Sequence, residues 1–107
     1  MKRIYVAGRY SADNVITALE NIRRGIRAAA ELIMQGNAVF CPWIDHSYWL
    51  TLKEGEEITL EQIQAQSLNW LAVCDEMYVL KGWENSRGTL LEMEYAKSHN
   101  IPIRFQP

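Results

Sequence analysis

Short β-type runs alternate with helix-length segments along this whole chain, and that alternation sets the class of fold open to it. Arg3-Ile4-Tyr5-Val6-Ala7 predicts a first strand that ends at Gly8. Asn14 to Gln35 follows with apolar residues at Val15, Ile16, Leu19, Ile22, Ile26, Ala29, Ala30 and Ile33, the spacing of one helical face, and Gly36-Asn37 supplies a stop. Ala38 to Cys41 predicts a second strand closed by Pro42. Trp43 to Glu57 has no periodicity and reads as a polar and aromatic loop or lid. Thr59 to Val73 returns to helical spacing through Leu60, Ile63, Leu68, Leu71 and Ala72. Glu76 to Leu80 predicts the third strand, Ser86 to His99 the last helix, and Ile101 to Phe105 the fourth strand, with Pro102 at its first position or on an edge. Strands that alternate with helices connect by right-handed crossovers into a parallel sheet covered on both faces. The prediction is an α/β, flavodoxin-like or Rossmann-like three-layer sandwich with a four-stranded parallel sheet of order 2-1-3-4.

The 107 residues suit one domain, 1–107, and a net charge of -2 argues against a nucleic-acid polymer or a membrane surface as partner, despite the local basic cluster Arg23, Arg24 and Arg27. A small molecule is the expected partner. Cys41 and Cys74 sit in apolar runs and read as free thiols of a reducing, cytoplasmic setting. Met1 to Ala7 is too short for a signal peptide, and no apolar stretch approaches the roughly 20 residues that span a bilayer. Asp45-His46 beside Cys41, with His99 far off, lacks the spacing of a zinc set, so neither metal nor cofactor is expected.

The chemistry concentrates between Asp75 and Ala96. An apolar run, Met77 to Leu80, breaks at Gly82 and passes through Trp83-Glu84-Asn85-Ser86-Arg87-Gly88-Thr89 into the helix that holds Glu92. Strand, glycine loop and helix in that order leave backbone N–H groups free at a helix start, where anions bind. In a 2-1-3-4 sheet ligands sit beyond the carboxyl ends of the strands, so Gly8-Arg9-Tyr10 and Gly82 to Gly88 should face each other across one crevice. Thr89-Leu90-Leu91-Glu92 also satisfies a capping box. Against that, Ser86 can serve as the N-cap, and Glu92 has only Gly88 and Ala96 four residues to either side, with no basic partner. Glu94 can meet Lys97 and reads as a surface charge. Trp43, Tyr48, Trp49 and Trp83 could stack on a base or pack in the interior, and Arg9, Arg23 or Arg27 could meet a phosphate or remain solvated.

These residues resemble the nucleoside 2-deoxyribosyltransferase-like superfamily, in particular its small phage and bacterial branch related to deoxynucleoside 5'-monophosphate N-glycosidases. The resemblance spans nearly the whole chain and is carried by Ile4-Tyr5-Val6-Ala7-Gly8-Arg9-Tyr10, by Ser67-Leu68-Asn69-Trp70-Leu71 before Cys74-Asp75, and by Gly82 to Thr89 ahead of Glu92 and Ala96. It implies Glu92 as the carboxylate that attacks the sugar anomeric carbon, Tyr5 as the hydroxyl that positions it, and Ser86 and Gly88 as holders of a 5'-phosphate. Gly8, Arg9, Tyr10, Arg87 and Trp83 complete the expected substrate contacts. The resemblance further implies a homo-oligomer, and the cleavage of a nucleoside 5'-monophosphate at its base–sugar bond by hydrolysis or transfer. One position departs from the family: its usual acid is replaced by Ser67, so a proton donor would have to come from Asp45, His46 or Glu57. A non-catalytic nucleotide-binding module is the alternative. Gly88-Thr89 ahead of Glu92 also resembles the phosphoribohydrolases that act on cytokinin ribotides, without their doubled glycine.

Overall fold

In the computed structural model, which describes residues 1–107, the first strand is the hub of the sheet. Strand β1 (Arg3–Ala7) pairs in parallel with β2 (Ala38–Phe40) on one side and with β3 (Glu76–Val79) on the other, and β4 (Ile103–Phe105) adds beyond β3. The order is therefore β2-β1-β3-β4, the predicted α/β topology. Tyr5 stands opposite Phe40 and Met77, and Tyr78 opposite Arg104. Pro102 lies just before the edge strand β4, where its carbonyl still accepts from the Met77 N–H and its missing N–H costs the ladder nothing.

Side chains alternate across β1, which divides the interior in two. Ile4 and Val6 face α1 (Val15–Met34) with Ala28, Ala29, Leu32, Trp43 and Tyr78. Tyr5 and Ala7 face the helices α2 (Leu60–Leu71) and α3 (Arg87–Ser98), together with Leu71, Met77, Val79, Met93 and Ala96. Each helix has a local start signal. Asn14 accepts from the Thr17 N–H, Thr59 and Gln62 form a capping box, and Ser86 accepts from the Thr89 N–H. Helix α1 closes with Gly36 at φ 95° and a bond from the Asn37 N–H back to the Leu32 carbonyl; α3 closes the same way with Asn100 at φ 58° and Ile101 bonded to Ala96.

Two expectations need correction. Residues 43–57 are not simply a loop or lid, because Pro42–Thr51 forms a 3₁₀ helix that buries Trp43 and Asp45. A three-residue repeat in a short aromatic segment leaves no 3.6-residue signature to read. The apolar row on α1 is also only partly its core face, Ala29 entering the core and Ile22 packing against it. Asn21, Gly25, Ala28, Ala29 and Leu32 are buried, while Val15, Ile16, Leu19, Ile26 and Ile33 are exposed. The cause is Trp43: a Cβ on Gly25 would lie 2.2 Å from its ring, so the helix turns its small residues inward to admit the indole. Cys41 is buried and Cys74 partly buried, both as free thiols, and no helix is long and apolar enough to cross a membrane.

Candidate active site

The chain leaves β1 and β3 side by side at their carboxyl ends, and Gly8 lets it turn there: an added Cβ would lie 3.0 Å from Leu80 Cβ and 3.2 Å from Trp43 Cζ2. Beyond these strand ends opens a cavity of about 920 Å³. Gly8, Tyr10 and Ser11 line it from the β1 side; Trp43, Asp45, His46 and Trp49 from the 3₁₀ helix; Leu60, Ile63, Ser67 and Leu68 from α2; and Ser86, Arg87, Gly88, Thr89 and Glu92 from α3. The two glycine loops thus share one crevice, at the place the topology predicts.

Glu92 sits one residue before Met93, beside the buried row Thr89, Met93 and Ala96 that fastens α3 to the sheet. Its carboxylate accepts a hydrogen bond from the Tyr5 hydroxyl and has no cationic partner. Burial pushes the Glu92 carboxyl up to about 7, against the opposing pull of the Tyr5 hydrogen bond. Burial and the neighbouring Glu92 charge push the Tyr5 hydroxyl far above its ordinary range, so it stays an O–H donor at any working pH. The phenol ring is held by stacking. Phe40 lies over it at 5.4 Å between centroids, and Trp70 lies over Phe40 at 5.4 Å. A carboxylate with a fixed neutral donor, no counter-charge and a titration point near neutrality is equipped to act as nucleophile or base.

The start of α3 makes the second half of the site. Ser86 is the N-cap: its Oγ accepts from the Thr89 N–H at 3.3 Å and lies 2.8 Å from Thr89 Oγ1. Glu92 instead meets Tyr5, so the capping-box alternative for Thr89 and Glu92 is not formed. Arg87 and Gly88 occupy the first helical positions, whose N–H groups have no acceptor within the helix. Nothing lies within 4 Å of where a Gly88 side chain would be, and Arg87 makes no ion pair. A helix start with open backbone and an unpaired guanidinium suits an oxyanion.

Several expected contacts fall elsewhere. Trp83 packs on Phe105 at 5.5 Å and lines a separate pocket of about 350 Å³ with Lys81 and Gln106, so it does not meet the main cavity. The loop turns it away because Gly82 adopts φ 88° and Trp83–Asn85 winds into a single 3₁₀ turn against β4. Arg9 is exposed and does not line the cavity; its carbonyl accepts the Trp43 indole N–H at 3.2 Å. Arg23 pairs with Glu20 and Arg27 with Glu31, each at 3.0 Å on the outer surface of α1. Glu94 is exposed without an ion pair to Lys97, and Glu57 and Tyr48 lie outside the cavity lining. No group of three or more His, Cys, Asp or Glu is placed to hold a metal ion. The sequence reading missed the Phe40–Trp70 stack, whose partners are thirty residues apart in sequence with no pattern linking them. The helical spacing of Leu60, Ile63 and Leu68 gave no sign that they line the cavity.

A family described as Domain of unknown function (DUF4406) matches residues 2–105. Among solved structures, the chain resembles a 2-deoxyribosyltransferase from the psychrotolerant bacterium Bacillus psychrosaccharolyticus, a biocatalyst for the synthesis of antiviral and antitumoral nucleosides. The match has a TM-score of 0.68 and 18% identity, and covers 96% of this chain and 70% of that one. At that identity the likeness shows a shared fold, the nucleoside deoxyribosyltransferase-like one. No curated protein matches the sequence.

Proposed function

The chain belongs to the DUF4406 family, and we propose that this member is a nucleotide N-glycosidase cleaving the base–sugar bond of a nucleoside 5'-monophosphate, preferentially a deoxy form. One observation carries the reading: the Tyr5-held, cation-free Glu92 carboxylate and the open start of α3 share a single cavity. The fold shared with a 2-deoxyribosyltransferase supports nucleoside chemistry in that cavity. Ser86, the Gly88 N–H and Arg87 hold the 5'-phosphate, which sets the anomeric carbon toward Glu92. The ionised Glu92 attacks that carbon as the base departs, through a sugar centre with oxocarbenium character. Tyr5 keeps the carboxylate oriented and, as a neutral donor, never competes for the sugar. Water then displaces Glu92 and releases the sugar phosphate; a second base in place of water would make the reaction a transfer.

The test is to incubate the protein with ribo- and deoxyribonucleoside 5'-monophosphates and the matching nucleosides, and to quantify free base by chromatography, beside Glu92→Ala. Release from the monophosphates that falls at least about 100-fold in the variant is expected. Release unchanged in Glu92→Ala overturns the mechanism. Ser67, buried beside Tyr5 where the family pattern has an acid, favours one second reading, a nucleotide-binding module without turnover. That reading predicts tight nucleotide binding and no base release from either protein. The proposal also includes a homo-oligomer, supported by the exposed row Val15, Leu19, Ile26 and Ile33, whose spacing on α1 suits pairing with a copy of itself. Light scattering on the wild type and Ile26→Glu checks it: a monomeric wild type refutes the assembly.

A further inference from the structure

We propose that Asp45 is the proton donor to the departing base, an inference that rests on the N-glycosidase reading above. Asp45 lines the same cavity as Glu92, on the 3₁₀ helix rather than on α3. It is only 8% exposed, and its Oδ2 has no hydrogen-bond partner in the protein. A buried carboxyl oxygen is ordinarily partnered, and an unpartnered one disfavours the charged carboxylate and favours the proton-bearing form, in a residue that lines a ligand-sized cavity. The other candidates do less well. Glu57 does not reach the cavity, His46 has its Nδ1 engaged at the Trp43 carbonyl, and Ser67 carries no acidic proton in the working range.

The surroundings favour the protonated form of this carboxyl. Burial pushes the Asp45 carboxyl above its ordinary value, and no ion pair opposes it. The titratable groups around the same space are Cys41 and His46 on its own segment, Tyr10 and Tyr5 from β1 and the loop after it, and Glu92 and Arg87 from α3; α2 contributes only uncharged Gln64 and Ser67. Tyr10 and Trp49, both partly accessible aromatics lining the cavity, offer faces for a planar base near Asp45. In the first half-reaction the Asp45 proton passes to a ring nitrogen of the base, the base takes the electron pair of the glycosidic bond, and a Glu92 oxygen bonds to the anomeric carbon. In the second, a water oxygen bonds to that carbon, its proton returns to Asp45, and Glu92 leaves with its electron pair. Atoms and charge balance over the cycle.

A leaving group that needs no proton separates this role from a structural one. Steady-state kinetics compare wild type with Asp45→Asn on deoxyguanosine 5'-monophosphate and on its N7-methyl derivative, whose base departs as a neutral molecule without protonation. The expected result is a loss of about 100-fold or more in kcat/KM on the ordinary nucleotide, with the N7-methyl substrate cleaved within a few-fold of wild type. Asp45→Asn should also lose the decline in rate on the alkaline side of the pH profile. Retained cleavage of the N7-methyl substrate reports that the variant is folded. An active wild type with Asp45→Asn unimpaired, or equally impaired on both substrates, overturns the assignment of Asp45 alone. A wild type that releases base from neither substrate overturns the glycosidase reading and this proposal with it.

Discussion

Replacing Glu92 by Gln should stabilise the protein at neutral pH, and the size of the effect follows from where the carboxylate sits. Burial without a cation holds its titration at about 7 instead of the ordinary 4.5. Between those two values the unfolded chain has released its proton and the folded chain retains it. Stability therefore falls as pH rises from about 4.5 to about 7, then levels off. At about 1.4 kcal/mol per tenfold change, the ionised side chain costs about 3 kcal/mol above that range, a sizeable share of the roughly 5–15 kcal/mol that holds a domain of this size folded. Glutamine keeps an oxygen to accept from Tyr5 and removes the titration. Urea unfolding followed by far-UV circular dichroism, on wild type and Glu92→Gln from about pH 4.5 to about pH 8, isolates the term as a difference. The two midpoints should nearly coincide at the acid end and separate by about 1–3 M urea at the alkaline end, with the variant the more stable. Parallel midpoint curves across that range would falsify the claim that Glu92 is held as an unpaired buried carboxylate.

Three other perturbations test neighbouring parts of the argument. Tyr5→Phe removes the one hydrogen bond that favours the Glu92 charge, so the titration should move above about 7 and the acid limb of base release should shift toward alkaline pH; a limb that stays in place shows that Tyr5 does not control Glu92. Gly25→Ala should lower the melting temperature despite alanine's advantage of about 1 kcal/mol in a helix, because the new methyl meets Trp43 at 2.2 Å and overpacking costs about 1–3 kcal/mol or more; a melting temperature that rises refutes the packing account. Arg87→Ala should weaken a nucleoside 5'-monophosphate about 10- to 100-fold in titration calorimetry while leaving the nucleoside unchanged; equal losses for both ligands remove Arg87 from the phosphate.

The sheet was legible because each of the first three strands carries its own stop: Gly8 after β1, Pro42 after β2, Gly82 after β3. Helix starts were legible for the same local reason, Asn14, Thr59 and Ser86 each presenting a side-chain acceptor to a free N–H. Facing direction was not. The hydrophobic spacing of α1 is real, yet the core takes the small-residue side because Trp43, distant in sequence, needs the room that Gly25 leaves. Glu92 could be singled out by what its own helix lacks, a basic residue one turn away, whereas Trp83 could not be placed because its direction depends on the φ of Gly82 and on Phe105 across the sheet. Asp45 was visible as one acid among four in an unpatterned segment. Its isolation became apparent only in the fold, which buries its Oδ2 without a hydrogen-bond partner.

Three carboxylates in this small fold are largely withdrawn from water, and their partners sort them by task. Glu76, at the amino end of β3, is 8% exposed and pairs with Lys2 at 3.0 Å and Arg104 at 2.9 Å; burial alone would raise its carboxyl, but the two cations outweigh it and the net displacement is downward. Its contribution to stability is therefore present above the ordinary carboxylate range and is lost as pH falls through its lowered value. Glu92 and Asp45, beyond the carboxyl ends of the strands, have no cation and shift upward. They make the folded state less stable as pH rises. Arg87 lines the same cavity but pairs with neither of them. Counter-charges at that end would lower both carboxyls and stabilise the folded state, at the expense of the nucleophile and the acid proposed above. The strain of two unpaired carboxyl groups is thus concentrated where the strand ends open onto the cavity, and the ion-paired Glu76 at the far end helps offset it.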